Sequence, residues 1–88
     1  MKEKIIRQVS QYYNTDILLR TRKKSVSFPR AVAMYLICVF TDLTMAEIGR
    51  EFGKDHSSVI YSNKKIRAFC LNYPDIRKQV IELETVFE

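Results

Sequence analysis

The stretch from Ile48 to Ile66, IGREFGKDHSSVIYSNKKI, constrains this chain more than any other, because its caps and breakers spell helix, tight turn, second helix. Thr44, with Glu47 three residues later, makes a capping box ahead of TMAEIGREF, and Met45, Ile48 and Phe52 fall on one side of the helix so begun. Gly53 ends that helix and Lys54 fills the turn. Asp55 then caps the next helix, its carboxylate accepting free backbone N–H groups of the first turn. Two helices joined so tightly form a helix-turn-helix.

The second helix is asymmetric. At 100° per residue, Val59, Asn63, Ile66 and Cys70 share one face while Ser57, Tyr61, Lys64 and Ala68 lie opposite. One face packs and the other is polar and basic. His56, Ser57 and Ser58 occupy the first turn, where short hydrogen-bonding side chains and a positive helix N-terminus can approach DNA bases and phosphates. Spacing alone fits an ordinary amphipathic helix equally well.

With 88 residues, 47% hydrophobic content and only two prolines and two glycines, the composition implies one compact all-helical domain with a modest core. A net charge of +5 favours a polyanionic partner, although a merely soluble surface can carry the same balance. Cys38 and Cys70 are isolated in apolar surroundings, with no signal peptide ahead of them and a single histidine in the chain, so we expect reduced core thiols and no metal site. The most apolar run, Ala31 to Phe40, is about half of the roughly 20 residues a membrane-spanning helix needs. It reads as a buried helix, and no membrane partner is expected.

In chain order, EKIIRQVSQYYN puts Ile5, Ile6, Val9, Tyr12 and Tyr13 at helical spacing, with both tyrosines assigned to the core. TDILLR offers Thr15 or Asp16 as a cap and enough apolar residues for one or two further turns of helix. Arg20 to Arg30 holds five basic residues and no acidic one, the densest positive charge in the chain. Such a run is usually a solvated face, but beside a helix-turn-helix a basic loop can enter the negative minor groove. Pro29 suits the first turn of a helix, with Ser27 or Phe28 in the cap region and the helix running to about Thr41. Gly49, inside a helix, implies close approach of another helix. After Asn72-Tyr73-Pro74, residues 74 to 87 restart a helix through Ile76, Val80, Leu83 and Phe87. The division is therefore one domain over 1–88, with a basic loop at 20–30, the helix-turn-helix at 44–70 and a C-terminal helix at 74–87.

No catalytic constellation emerges. GREFGK has one residue too few between its glycines for a phosphate-binding loop, and Asp55 follows the lysine in place of Ser or Thr, so no nucleotide site or other cofactor is expected. His56 and Ser57 are adjacent on a helix and point about 100° apart, with no buried acid to orient the imidazole.

The run from Ile48 to Ile66 resembles the signature of the C-terminal DNA-binding domain of DnaA, the bacterial chromosomal replication initiator. The resemblance rests on the Ile-Gly opening, the Phe-Gly turn with a basic residue, the Asp-His-Ser-Ser helix start and the closing Lys-Ile, and upstream on the basic loop, Pro29-Arg30 and Ala33-Met34. It implies an all-helical fold with a helix-turn-helix similar to that of the Trp repressor. It further implies that Asp55, His56 and Ser57 face bases in the major groove, with Ser58 nearer the phosphates. Arg22 aligns with the minor-groove arginine, Arg30 with a phosphate-contacting arginine, Met45 and Ala46 with residues meeting the backbone, and Lys54 with the basic turn residue. Lys23, Lys24, Tyr61 and Lys64 complete the expected interface on charge and position. The turn FGKDH is one residue shorter than the commoner Phe-Gly-Gly-Arg-Asp-His, and Ser57 and Ser58 replace a threonine pair, removing two methyls that could touch thymine. Ala31 replaces the usual glutamine, Cys38 stands where some members have lysine, and Tyr61 where many have histidine.

The expected function is sequence-specific binding of double-stranded DNA by a cytoplasmic, nucleoid-associated monomer, linked to replication initiation or its regulation. The family's ATPase domain has no counterpart in these residues, so the chain reads as an excised domain, with such an ATPase domain as its partner, or as a small stand-alone protein. The alternatives are a dimeric helix-turn-helix transcriptional regulator or mobile-element protein with a different site, a module binding an acidic protein, and an RNA-binding domain. For the last, no exposed aromatic platform is evident. One consequence is independent of partner: a charge at Leu36, as in Leu36→Asp, is expected to abolish the cooperative thermal transition seen by circular dichroism. An unchanged melt would remove the 29–41 segment from the core.

Overall fold

Residues Ala31 to Phe40 lie in the helix around which the others are arranged. The computed structural model describes residues 1–88 as five helices without strands: α1 (Lys2–Tyr13), α2 (Lys24–Phe40), α3 (Met45–Glu51), α4 (His56–Asn72) and α5 (Pro74–Phe87). Helix α2 touches all four others. Its Val32, Ala33, Leu36 and Ile37 are fully buried and join Ile5, Val9, Ile17, Ile48, Val59 and Ile66 in one core, closed by Val80 and Leu83 of α5. Val39 alone of the apolar run turns largely outward. No helix is long and apolar enough to cross a membrane.

Helix α1 ends at Asn14, whose left-handed backbone (φ 51°) suits asparagine. The two tyrosines divide their work. Tyr13 is half-buried, edge-on to Phe28 at 5.9 Å between ring centres, and donates its hydroxyl to Gln79 at 2.9 Å. Tyr12 is exposed, contrary to its core assignment, and donates to Glu82 at 2.6 Å. Both hydroxyls tie α1 to α5, and Phe40 against Phe87 (5.8 Å) anchors the far end of α5.

Two expectations fail at one place. TDILLR forms turns instead of helix: the Asp16 carboxylate accepts the Leu18 N–H at 3.0 Å, a local bond that competes with helix, and only Ile17 enters the core while Leu18 and Leu19 stay exposed. Helix α2 begins at Lys24, not near Pro29, with Lys23 at its N-cap and Pro29 inside it. Burial of Val26 and Pro29 on the inner face offsets the hydrogen bond that proline forgoes. The basic segment is thus a short arm, Arg20 to Lys23, running into a helix that starts at Lys24.

The capping box at Thr44 is present in both directions, Thr44 accepting from the Glu47 N–H (3.1 Å) and Glu47 from the Thr44 N–H (2.9 Å). Helix α3 ends at Phe52, and Gly53 follows with φ 67°, a conformation that favours glycine. Lys54 N–H then donates back to the Gly49 carbonyl at 2.8 Å. What approaches Gly49 is therefore the turn itself and not another helix: a Cβ there would collide with the Lys54 carbonyl oxygen and lie 3.0 Å from that of Asp55.

Gly49→Ala supplies a sign test. Helix propensity alone favours alanine by about 1 kcal/mol. The collision with main chain is expected to override it, giving a net loss of about 1–3 kcal/mol in urea unfolding. A higher urea midpoint would contradict the close approach.

Candidate nucleic-acid interface

The N-terminal end of α4 is built by its own cap. Asp55 has extended backbone (φ −86°, ψ 174°), and its carboxylate accepts the Ser58 N–H at 2.9 Å. The bonds from the Ser58 and Ser57 region hold the Asp55 carboxyl below its ordinary range, with the Ser58 backbone N–H the main cause. Val59, Asn63 and Ile66 are buried, which fixes the rotation of the helix about its axis. Asp55, His56, Ser57, Tyr61 and Lys64 are consequently exposed on the outer side, Tyr61 at 67% of its surface. Asn63 directs its amide toward the Met45 sulfur (3.8 Å), joining α4 to the first turn of α3, where Ala46 is exposed.

Two clefts organise the remaining residues. The larger, about 410 Å³, lies between the start of α4 and α2 and brings Lys54, Asp55, Ser57, Ser58 and Tyr61 together with Arg30. A smaller one, about 180 Å³, brings Arg22 beside Lys54 and the Phe52–Gly53 turn. Lys23, Lys24, Met45, Ala46, His56 and Lys64 line neither; Lys23, Lys24, Ala46, His56 and Lys64 are exposed.

Arg30 differs from the position expected of a surface arginine. It is only 5% exposed, its Nε donates to the Ile17 carbonyl (3.2 Å), and its Nη2 donates to the carbonyls of Leu19 and Thr21 (3.0 Å to the latter). Burial lowers its pKa from the ordinary guanidinium value, and the three carbonyl acceptors compensate the desolvated charge.

Sequence reasoning passed over three residues here and one contact of a fourth. Ser62 and Lys65 line the larger cleft with Ser58, and the spacing 58, 62, 65 marks one helix face, so periodicity could have found them. Ser27 joins them because α2 starts early. Arg20 lies against Gly53, where an added Cβ would stand 2.9 Å from its Cζ, and no local signal announces that contact.

The family described as bacterial dnaA protein helix-turn-helix matches residues 2–66. A chromosomal replication initiator protein DnaA of Caldanaerobacter subterraneus subsp. tengcongensis is 40% identical over 80 residues, covering 88% of this chain and 18% of that protein. The DnaA of Thermoanaerobacter pseudethanolicus shows the same 40% identity and the same coverage. The chain thus spans about 18% of the length of the curated relatives it matches.

The caps of α3 and α4 carry a pH dependence. Glu47, chiefly through the Thr44 N–H, and Asp55, through that of Ser58, have depressed pKa values when folded. Their contribution is therefore complete above the unfolded carboxyl range, about pH 4, and is lost as pH falls through the lower folded values. Asp55→Asn keeps the acceptor but does not titrate, so its melting temperature is expected to fall less steeply than wild type below about pH 4. Identical acid limbs would contradict the capping role.

Proposed function

Because this chain belongs to the bacterial DnaA helix-turn-helix family, we propose that it binds double-stranded DNA of the A·T-rich box type. Helix α4 enters the major groove while the arm from Arg20 to Lys24 enters the adjacent minor groove. The observation that carries this reading is the juxtaposition of Arg22 with the Phe52–Lys54 turn, which sets a basic arm beside the start of the helix whose first turn offers His56 and Ser57 to solvent. A major groove about 12 Å wide admits a helix, and the minor groove's negative potential attracts arginine.

Roles divide by chemistry. Asp55, His56 and Ser57 face base edges, where hydroxyl, imidazole and carboxylate can discriminate donors from acceptors. Ser58, Lys54, Lys23, Lys24 and Lys64 supply phosphate contacts that set register, together with the α4 N-terminus. Met45 and Ala46 lie close to the backbone at the start of α3, and Tyr61 borders the base-reading turn. The relatives are named chromosomal replication initiator proteins, and we assign this binding to replication initiation or its regulation. Any nucleotide-driven step then belongs to an ATPase domain acting as partner.

Fluorescence anisotropy with an A·T-rich box duplex and a scrambled duplex tests the assignment. His56→Ala is expected to cost about 1–3 kcal/mol on the box and to narrow the difference between the two duplexes. Lys24→Ala is expected to weaken both alike and to reduce the salt slope by about one. Equal losses on both duplexes for His56→Ala would remove α4 from base recognition.

A further inference from the structure

We infer that Arg30 is a positioning residue for DNA readout: it holds the arm that carries Arg22 in a fixed place beside the turn. The inference rests on the DNA-binding reading above.

Three observations converge on it. The carbonyls of Ile17, Leu19 and Thr21, at alternate positions of a segment without helix or strand, all accept from one guanidinium. That guanidinium extends from the buried face of α2, between buried Pro29 and Ala31, so the segment is fastened to the most central helix of the fold. Finally, the residue between two of those acceptors, Arg20, turns the other way and lays its guanidinium on Gly53, with Nη2 3.0 Å and Nε 3.2 Å from where a Cβ would be. The arm is pinned to α2 by its backbone and to the helix-turn-helix by a side chain, and Arg22 follows directly. Fastening it before DNA arrives avoids the ordering cost that a loose arm would incur on binding. The Nε and Nη2 of Arg30 are committed to the main chain of the arm, and the residue is 5% exposed, although it also lines the cleft beside Lys54, Ser57 and Ser58. Lysine cannot replace it, because a single ammonium lacks the planar fork that reaches three acceptors.

The test is a double-mutant cycle on the full chain, by anisotropy with the A·T-rich box duplex, comparing wild type, R22A, R30K and R22A/R30K. Each single variant is expected to bind about tenfold more weakly, and the double variant to lose no more A·T-over-G·C preference than R22A alone, since Arg30 acts on that preference through the arm. R22A and R30K are both expected to lose discrimination between A·T and G·C at the minor-groove positions, a readout that simple destabilisation would not move. An R30K variant that weakens all duplexes alike while keeping the wild-type A·T preference would overturn the inference, because Arg30 would then not act through the arm. Should R30K fold poorly, the Nε–H resonance of Arg30 in the wild-type protein decides the matter. The inference predicts slow exchange in the free protein and little change on adding duplex; fast exchange, or a large shift on binding, overturns it. Wild type that binds no duplex sinks the DNA-binding reading and this inference with it, whereas binding with the A·T preference intact in R30K sinks this inference alone.

Discussion

The direction of α4 depends on one close approach of main chain to main chain. The carbonyls of Lys54 and Asp55 pass over the α-carbon of Gly49, and the Lys54 N–H closes the turn onto the Gly49 carbonyl. Only a residue without Cβ leaves that space, so the angle between α3 and α4 is set by sterics before any side chain contributes. The Asp55 cap then starts α4 at once, and burial of Val59 and Ile66 fixes which of its faces looks outward. A rigid helix with a defined outer face is what base reading requires, because discrimination rests on hydrogen bonds whose geometry tolerates little drift.

A second frame is laid over the first. Arg30 fastens the 17–21 backbone to α2, and Arg20 lies on Gly53, in the turn that follows α3. The arm and the turn therefore share an anchor, and a displacement of one is felt by the other. A desolvated guanidinium is costly unless its donors are met, which makes this arrangement close to all-or-none: the arm is either docked on Arg30 or Arg30 is left buried and unpaired. In the proposed geometry this joins readout of two grooves into one rigid body.

What sequence reasoning recovered and what it missed follow the range of the forces involved. The capping box at Thr44, the cap at Asp55, the buried set Val59, Asn63 and Ile66 and the restart at Pro74 all rest on contacts within a few residues or on periodicity, and each stands in the structure where the residue types indicate. The 15–29 segment went otherwise because its conformation is decided at long range. Asp16 alone gives a local hint; the bonds from Arg30 to Ile17, Leu19 and Thr21 span nine to thirteen residues, and no pattern in TDILLR or RTRKK encodes them. Proline rules place Pro29 at a helix start, yet the inward packing of Val26 extends α2 ahead of it. The interface shows the same split: the α4 residues follow from a face and a cap, whereas the placement of Arg20 on the turn depends on a fold already formed.

The central claim is that one rigid surface meets two neighbouring grooves of a duplex. Dimethyl sulfate protection on the box duplex tests it most directly, since the reagent reports guanine N7 in the major groove and adenine N3 in the minor groove in a single experiment. The account predicts protection of both, at adjacent stretches of the site and appearing together as protein is added. Protection of N7 with adenine N3 left reactive at saturation would contradict it, and would reduce the arm to a solvated charge beside a helix that binds alone.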